Sequence, residues 1–499
     1  MTVGTVSEHP PEHPPEHPPE HPPEHPPEHP DTVPMPSPAP QSPGRPRHRP
    51  VPPWYADVAG SLMWLSLLVV TALWVANGGL QETGSGLGSG LTSLGRLTGL
   101  LSADLLLIQV LLIGRVPFVE QAYGQDELTR RHRLTGFASF NLMLAHISLI
   151  ILGYTADGDQ GLLGQTWDLV VDYPGMLLAT AATGMLMLVV VTSVKAARAS
   201  MRYESWHLLH LYAYLGVGLA IPHEVWTGAD FAASPLSRLY WWSSYAAAAG
   251  AVLVWRVAVP LYRSLRHRLV VHHVVHEAPG VVSVYLHGRD LDRLGARAGQ
   301  FLTWRFLDGP GRTRGHPYSL SAPVAGDRMR ITVKNLGDGS AALAGVRPGT
   351  RVLFEGPYGR LHSGVRTRRK VTLLAGGIGV TPLRALLEEL PYAPGEATLI
   401  YRAHDLRDLV LRRELDELAR RRGARVFYVV GPRLPDRNSW LPQNAAHLSD
   451  AAALLELVPD VAEHDVYLCG AGRWADAART AALAAGVPAE NVHLERFAW

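Results

Sequence analysis

The sequence predicts a multi-domain protein: an all-α six-helix transmembrane bundle, then an antiparallel β-barrel, then an α/β domain built on a parallel sheet. Three observations predict it. Six apolar stretches, at roughly 56–78, 97–118, 134–154, 173–194, 207–226 and 237–260, are each about long enough to cross ~30 Å of hydrocarbon. Near residue 265 the pattern changes to short β-branched runs broken by Gly and Pro-Gly. From Val371 onward, strand-like and helix-like stretches alternate. The expected limits are a repeat tail at 1–50, the membrane domain at 56–262, the barrel at 265–365 and the α/β domain at 369–499.

The tail repeats His-Pro-Pro-Glu with period four, placing His9, His13, His17, His21, His25 and His29 at regular intervals. Proline at this density forbids a helix and favours an extended or disordered chain. A histidine-rich tract has the chemistry to bind Zn, Cu or Ni, with a plain solvated tail as the alternative. No cleavable signal peptide is expected from so polar a start. A net charge of +2 with 18% charged residues argues against a nucleic-acid partner. A single cysteine, Cys469, excludes an intramolecular disulfide framework and an all-cysteine iron–sulfur site.

The apolar stretches imply a multi-pass protein of the cell membrane. Arg45, Arg47 and Arg49 precede the first, Arg130, Arg131 and Arg133 open the third, Lys195, Arg198 and Arg202 join the fourth to the fifth, and Arg263, Arg266 and Arg268 follow the sixth. The other connections are poor in Lys and Arg, so both termini are expected in the cytoplasm.

The third stretch carries His132 and His146, and the fifth carries His207, His210 and His223. Fourteen residues separate the first pair, about 21 Å at ~1.5 Å per residue. Thirteen separate His210 from His223, or about 20 Å. Ionisable side chains inside a span are costly and mark functional sites. Two parallel helices offering imidazoles at matching levels suit two stacked haems, with His132 and His210 on the inner iron and His146 and His223 on the outer. Thirteen residues turn His223 off the face of His210, and Pro222 is the candidate for correcting this. His207 is a structural histidine or replaces His210 as ligand.

In the barrel region, Gly-His-Pro-Tyr-Ser-Leu-Ser at 315–321 offers the groups a flavin needs. Tyr318 supplies a planar ring, and Ser319, helped by Ser321, supplies a hydroxyl. His316 and Pro317 flank them. Lys334 and the turn Gly337-Asp338-Gly339-Ser340 follow, and a turn rich in free amides receives a phosphate. In the α/β region, a strand runs into Gly376, Gly377 and Gly379, and a helix starts at Thr381-Pro382. That arrangement favours an anion at the helix N-terminus. Cys469 and Gly470 end a later strand, where a nicotinamide would approach, with inert burial of the cysteine as the alternative. Arg402 has the charge for a 2′-phosphate, and Asp405 equally suits an unphosphorylated ribose. The lean is to NADPH, with NADH possible. The chain ends Glu495-Arg496-Phe497-Ala498-Trp499, and a terminal aromatic suits covering a flavin, with simple core packing as the alternative.

These residues resemble the ferric reductase and NADPH oxidase superfamily, in which a six-helix haem-binding membrane domain is fused to a ferredoxin–NADP reductase-type module. The resemblance spans roughly 56–499 and rests on HRLTGFASFNLMLAH, the WHLLH…HE stretch, HPYSLS, GGIGVTP, LCGAG and ERFAW. His316 stands where many such reductases have Arg, and Cys469 is followed by Gly-Ala rather than Gly-Pro. The resemblance implies that cytoplasmic NAD(P)H reduces FAD, and that FAD passes single electrons through two b-type haems to an outer acceptor. Phe497 is favoured over Trp499 as the aromatic on the flavin. The acceptor is expected to be ferric iron or another metal chelate. Oxygen, giving superoxide, is the first alternative, and a haem or flavin sensor without turnover is the second. No calcium-binding EF-hand loop is expected.

Overall fold

The computed structural model describes residues 54–194, 197, 201, 203–309 and 314–497. The histidine-rich repeat, Arg45, Arg47, Arg49, Lys195, Arg198, Arg202 and Trp499 lie outside the described residues. Every described residue belongs to one unit, Pro40–Trp499.

The N-terminal region is helical. Helices α1 (Trp54–Ala76), α2 (Leu87–Ile113), α3 (Gln125–Asp157), α4 (Met176–Ser193) and α6 (Pro235–His267) each contain a segment long and apolar enough to cross a membrane. Leu68, Leu177 and Leu253 on them are exposed, as a lipid-facing surface requires. Between α4 and α6 lies α5 (Tyr203–Trp226), the stretch expected as the fifth span. It falls below the same measure because His207, His210, His223 and Glu224 lower its hydropathy. The residues that make it a candidate site also mask it as a span. Helix α2 packs along α3, and α4 along α5. Within α6, residues Val252–Ala258 are π-helical. Pro260 removes the amide that the Arg256 carbonyl would otherwise accept from, and the turn widens there.

Two residues after α6 the chain enters strands. These are β1 (Val270–Ala278), β2 (Val281–His287), β3 (Phe301–Phe306), β4 (His316–Ser319), β5 (Arg328–Lys334) and β6 (Val352–Tyr358). The strands expected as a barrel lie in two antiparallel three-stranded sheets, ordered β1-β2-β5 and β4-β3-β6. Single bridges at Val270–Arg351 and Leu320–Ile331 join them. Inward residues of both sheets, including Val284, Leu302, Trp304, Ile331 and Phe354, form one core.

The last region is a five-stranded parallel sheet ordered β11-β10-β7-β8-β9. Its strands are β7 (Lys370–Gly376), β8 (Ala397–Ala403), β9 (Arg425–Val430), β10 (His464–Ala471) and β11 (Val492–Phe497). Strand residues alternate between two cores, as a sheet buried on both faces demands. Leu373, Tyr401 and Cys469 pack with helices α7 (Val380–Glu389) and α8 (Arg412–Arg422). Leu374, Ile400 and Leu468 pack with α9 (Asp450–Leu457) and α10 (Gly472–Ala484).

Candidate functional site

Helices α3 and α5 bring four histidines together in two pairs. The rings of His132 and His210 stand 5.9 Å apart between centroids, and those of His146 and His223 stand 6.3 Å apart. The thirteen-residue spacing therefore does not keep His223 from its partner. Pro222 lies inside the helix immediately before it. His207, beside Trp206, lines the same cavity, but it is His210 that faces His132.

Each of the four rings has its Nδ1 engaged. His132 Nδ1 lies 3.2 Å from the Gln109 carbonyl oxygen, and His146 Nδ1 lies 2.8 Å from that of Gly95. A carbonyl only accepts, so each Nδ1 carries the proton and each Nε2 keeps its lone pair. His223 Nδ1 is 2.7 Å from Thr227 Oγ1, whose own proton goes to the His223 carbonyl at 2.7 Å. The imidazole is thus the donor there too. His210 Nδ1 is 3.3 Å from Ser193 Oγ. This is the arrangement that leaves Nε2 for a metal and fixes the ring orientation. The fit is close on the α2 side, because a Cβ on Gly99 would lie 2.6 Å from His146 Nδ1.

One cavity of about 2130 Å³ runs past all four rings and on to the β-domain, where its wall includes Phe301, His316, Pro317 and Ser319, and to Phe497 at the end of β11. At the passage between them, the buried Glu355 of β6 accepts from Arg305 of β3 at 2.6 Å and lies 3.6 Å from Arg256 of α6. Tyr318 does not reach this wall. It is buried in the core around Trp304, with the His316 ring stacked on it at 6.0 Å. The turn after Lys334 lies against His316, for a Cβ on Gly339 would stand 2.3 Å from that ring. Ser340 Oγ accepts from the Leu336 amide at 2.8 Å and closes the turn. The Lys334 ammonium lies 3.8 Å from Asp408. Ser321, expected to help hold the flavin, is fully buried and turned toward Arg330 and Arg384.

In the parallel sheet the strand order reverses between β7 and β10, and ligands of such sheets bind in that crevice. The expected residues converge there. Gly376, Gly377 and Gly379 follow β7, Thr381 and Pro382 open α7, and Cys469 and Gly470 end β10. Trp474 lies against both Gly376 and Gly470. Cys469 is fully buried, and burial, then the charge of Glu495, pushes its thiol well above the usual range, so it is neutral. Phe497 ends β11 beside Ala471 and packs on the core that holds Cys469. Arg402 departs from expectation. It is buried, and its guanidinium donates to the carbonyls of Ala403 and Pro432 rather than into the crevice.

Two carboxylates of this region, the half-buried Glu414 and the buried Asp465, contribute to its acid response. Burial pushes Glu414 up, but the charges of Arg330 and Arg384 outweigh it and hold the carboxyl below its ordinary range. Burial likewise raises Asp465, and His493, the Arg368 amide and Asn491 bring it down. A depressed folded value contributes stability above the unfolded carboxyl range, about pH 4, and that contribution is lost as pH falls through the folded value. The Tm of the C-terminal region is therefore expected to stay level from neutrality to about pH 5 and to fall below about pH 4. A Glu414→Gln/Asp465→Asn variant, less stable at neutrality, should show a shallower acid slope in thermal melts. Equal slopes would contradict this account.

A family model described as a ferric reductase like transmembrane component matches residues 98–221, and one for an oxidoreductase NAD-binding domain matches residues 373–480. The ferredoxin reductase component of 3-ketosteroid-9-alpha-monooxygenase from Mycobacterium tuberculosis is 32% identical over 213 residues, which is 41% of this chain and 56% of that protein. The chain thus spans little more than half of that relative. Ferredoxin–NADP reductase B from Sorangium cellulosum is 31% identical over 199 residues, covering 38% of this chain and 80% of the reductase. Among solved structures, the flavohem-like FAD/NAD binding domain of nitric oxide dioxygenase from Vibrio cholerae aligns over 46% of this chain and 99% of its own length. That alignment has 24% identity and a TM-score of 0.37.

Fold and site together define a membrane-helix bundle with paired histidines, followed by a reductase module. The chain is a ferric reductase-like transmembrane domain fused to a module of the ferredoxin–NADP reductase family.

Proposed function

We propose that this protein is a transmembrane NAD(P)H-dependent flavohaem reductase. Electrons pass from cytoplasmic NAD(P)H through FAD and two stacked b-type haems to an acceptor on the outer side, ferric iron or another metal chelate. In this reading α5 is a sixth span, both termini face the cytoplasm, residues 265–365 form the FAD-binding barrel and residues 369–499 bind the nucleotide. The observation that carries it is the pair of facing imidazoles at each of two levels. Neutral imidazole is a ligand of haem iron, and each level would offer two of them to one iron.

When bound, FAD takes a hydride and releases electrons singly, and each haem iron carries one electron at a time. The chain's own residues supply position. His132 and His210 would hold the inner iron and His146 and His223 the outer, and their Nδ1 partners fix each ring. Arg256, Glu355 and Arg305 hold the flavin wall to the membrane domain. His316, Lys334 and the Gly339-Ser340 turn take the flavin phosphates, with Pro317 and Ser319 beside the ring. Gly376, Gly377, Gly379, Thr381 and Pro382 receive the nucleotide phosphates. Cys469 and Gly470 floor the nicotinamide position, where a neutral thiol keeps charge away from the hydride path. Phe497 covers the flavin until nicotinamide arrives. With Arg402 committed elsewhere, its charge no longer favours NADPH over NADH.

An anaerobic spectrum of the purified protein before and after NADPH tests the proposal. The expected result is bis-histidine haem at about two per chain, with flavin and both haems reduced. Protein without haem would overturn it. Thr227→Val removes the hydroxyl that holds His223, and losses of this kind cost roughly 10–100-fold in metal affinity or activity. Outer-haem retention should fall by that order in a haem-transfer assay while the inner haem stays. Equal retention at both levels would count against this role.

A further inference from the structure

The interface between the β-domain and the parallel-sheet domain holds a charge network that the electron route does not use. Glu414 on α8 is half-buried and accepts from two guanidiniums at once. Arg330 of β5 donates through Nη1 at 3.0 Å and Nη2 at 3.1 Å, and Arg384 of α7 donates through Nη2. Both arginines are buried, at 5% and 4% exposure. They also meet on one residue of the β-domain, Ser321. Its carbonyl accepts from Arg330 at 2.8 Å and Arg384 at 3.2 Å, and its hydroxyl accepts from Arg330 Nε at 3.0 Å.

The placement of these groups gives the network a purpose. Ser321 lies two residues beyond Ser319, which lines the flavin wall of the cavity. Arg384 lies one turn into the helix that begins at the glycine turn after β7. Arg384 also pairs with Glu388 on its own helix, so Glu414 is the group that ties it to Arg330, a buried guanidinium that is strongly unfavourable without its carboxylate. A planar guanidinium also fixes angle as well as distance, which a hydrophobic contact would not.

Resting on the reductase function proposed above, we infer that Glu414, bridging Arg330 and Arg384, is a positioning residue that sets the nicotinamide crevice against the flavin wall. It touches neither cofactor. It acts by holding Ser321 and the start of α7 in one register, and hydride transfer is steep in that register, since a misplacement of about 1 Å can cost about 100-fold.

The test is anaerobic stopped-flow reduction of the full-length, cofactor-loaded protein by NADPH, comparing wild type with Glu414→Gln and Glu414→Asp. The expected result for Gln is flavin reduction slowed roughly 10–100-fold at saturating NADPH, with the NADPH concentration for half-maximal rate little changed. The isotope effect from NADPH deuterated at the transferred position should increase. Asp, which keeps the charge on a shorter arm, should fall between Gln and wild type. Light-driven reduction of the flavin, followed by transfer to haem, should run at the wild-type rate in both. Should Gln fail to fold, the Asp variant decides alone, and a wild-type rate in it overturns the inference. So does a loss explained wholly by weaker NADPH binding. A wild-type protein that NADPH does not reduce overturns the reductase reading and this inference together, whereas equal rates in wild type and variants overturn this inference only.

Discussion

Leucine in place of His146 is expected to remove about half of the haem, leave the flavin reducible by NAD(P)H, and abolish reduction of an outer acceptor. His146 and His223 face each other at 6.3 Å, and among the described residues no other histidine ring pairs with either. The loss should exceed the roughly 100-fold that removing an outer-shell partner produces, because a ligand rather than its support is gone. Leucine also fills the apolar space between α2 and α3 where Gly99 meets the ring, so the bundle should persist. The measurement is haem content by pyridine haemochrome, with NADPH-driven reduction of a ferric chelate by proteoliposomes. Chelate reduction that survives the substitution would mean that electrons leave by another route. His207→Leu is the control: both haems should remain, since His210 is the ring that faces His132.

The histidine pairs were legible because helical spacing is a one-dimensional property. Four imidazoles in two apolar stretches state their own separation, and the helices built on them have the expected order. The partners of those rings were not legible. Gln109 and Gly95 contribute only backbone carbonyls, so their side-chain identities carry no signal. Thr227, four residues after His223 on the same helix, was within reach of the sequence. In the reductase module the glycine turn and Cys469 fall together at the strand reversal, as alternating strands and helices imply. Side-chain direction was not so readable. A four-residue strand sends alternate residues to opposite faces, and its register put Tyr318 into the core and Pro317 and Ser319 on the cavity, while His316, on the Tyr318 face, reaches the cavity from the end of the strand. Arg402 and Ser321 were misplaced for a related reason. Each is of a type that binds phosphates or hydroxyls, but Arg402 donates to the Pro432 carbonyl and the Ser321 hydroxyl accepts from Arg330 and Thr332.

Alanine at Gly379 is expected to stop NAD(P)H from reducing the flavin while the haem domain stays intact. A Cβ at this position would lie 2.2 Å from the Cys469 carbonyl oxygen and 2.5 Å from its carbon. Those are backbone atoms of a central strand, so no side chain can swing aside. Either β7 and β10 separate at their ends or the turn into α7 lifts, and both open the crevice where the nucleotide phosphates would sit. Overpacking of this kind costs about 1–3 kcal/mol, enough to lower the Tm of the module without unfolding it outright. The larger effect is on the site, because the same turn carries Gly376, Gly377 and the start of α7. NADPH-driven flavin reduction should therefore fall by more than about 100-fold, while dithionite still reduces both haems with unchanged spectra. Gly309, with a positive φ and open space around it, is the comparison. Alanine there pays only a backbone cost, and flavin reduction should proceed at close to the wild-type rate. If the two substitutions slow NADPH oxidation equally, close contact at Gly379 is not what shapes the nucleotide crevice.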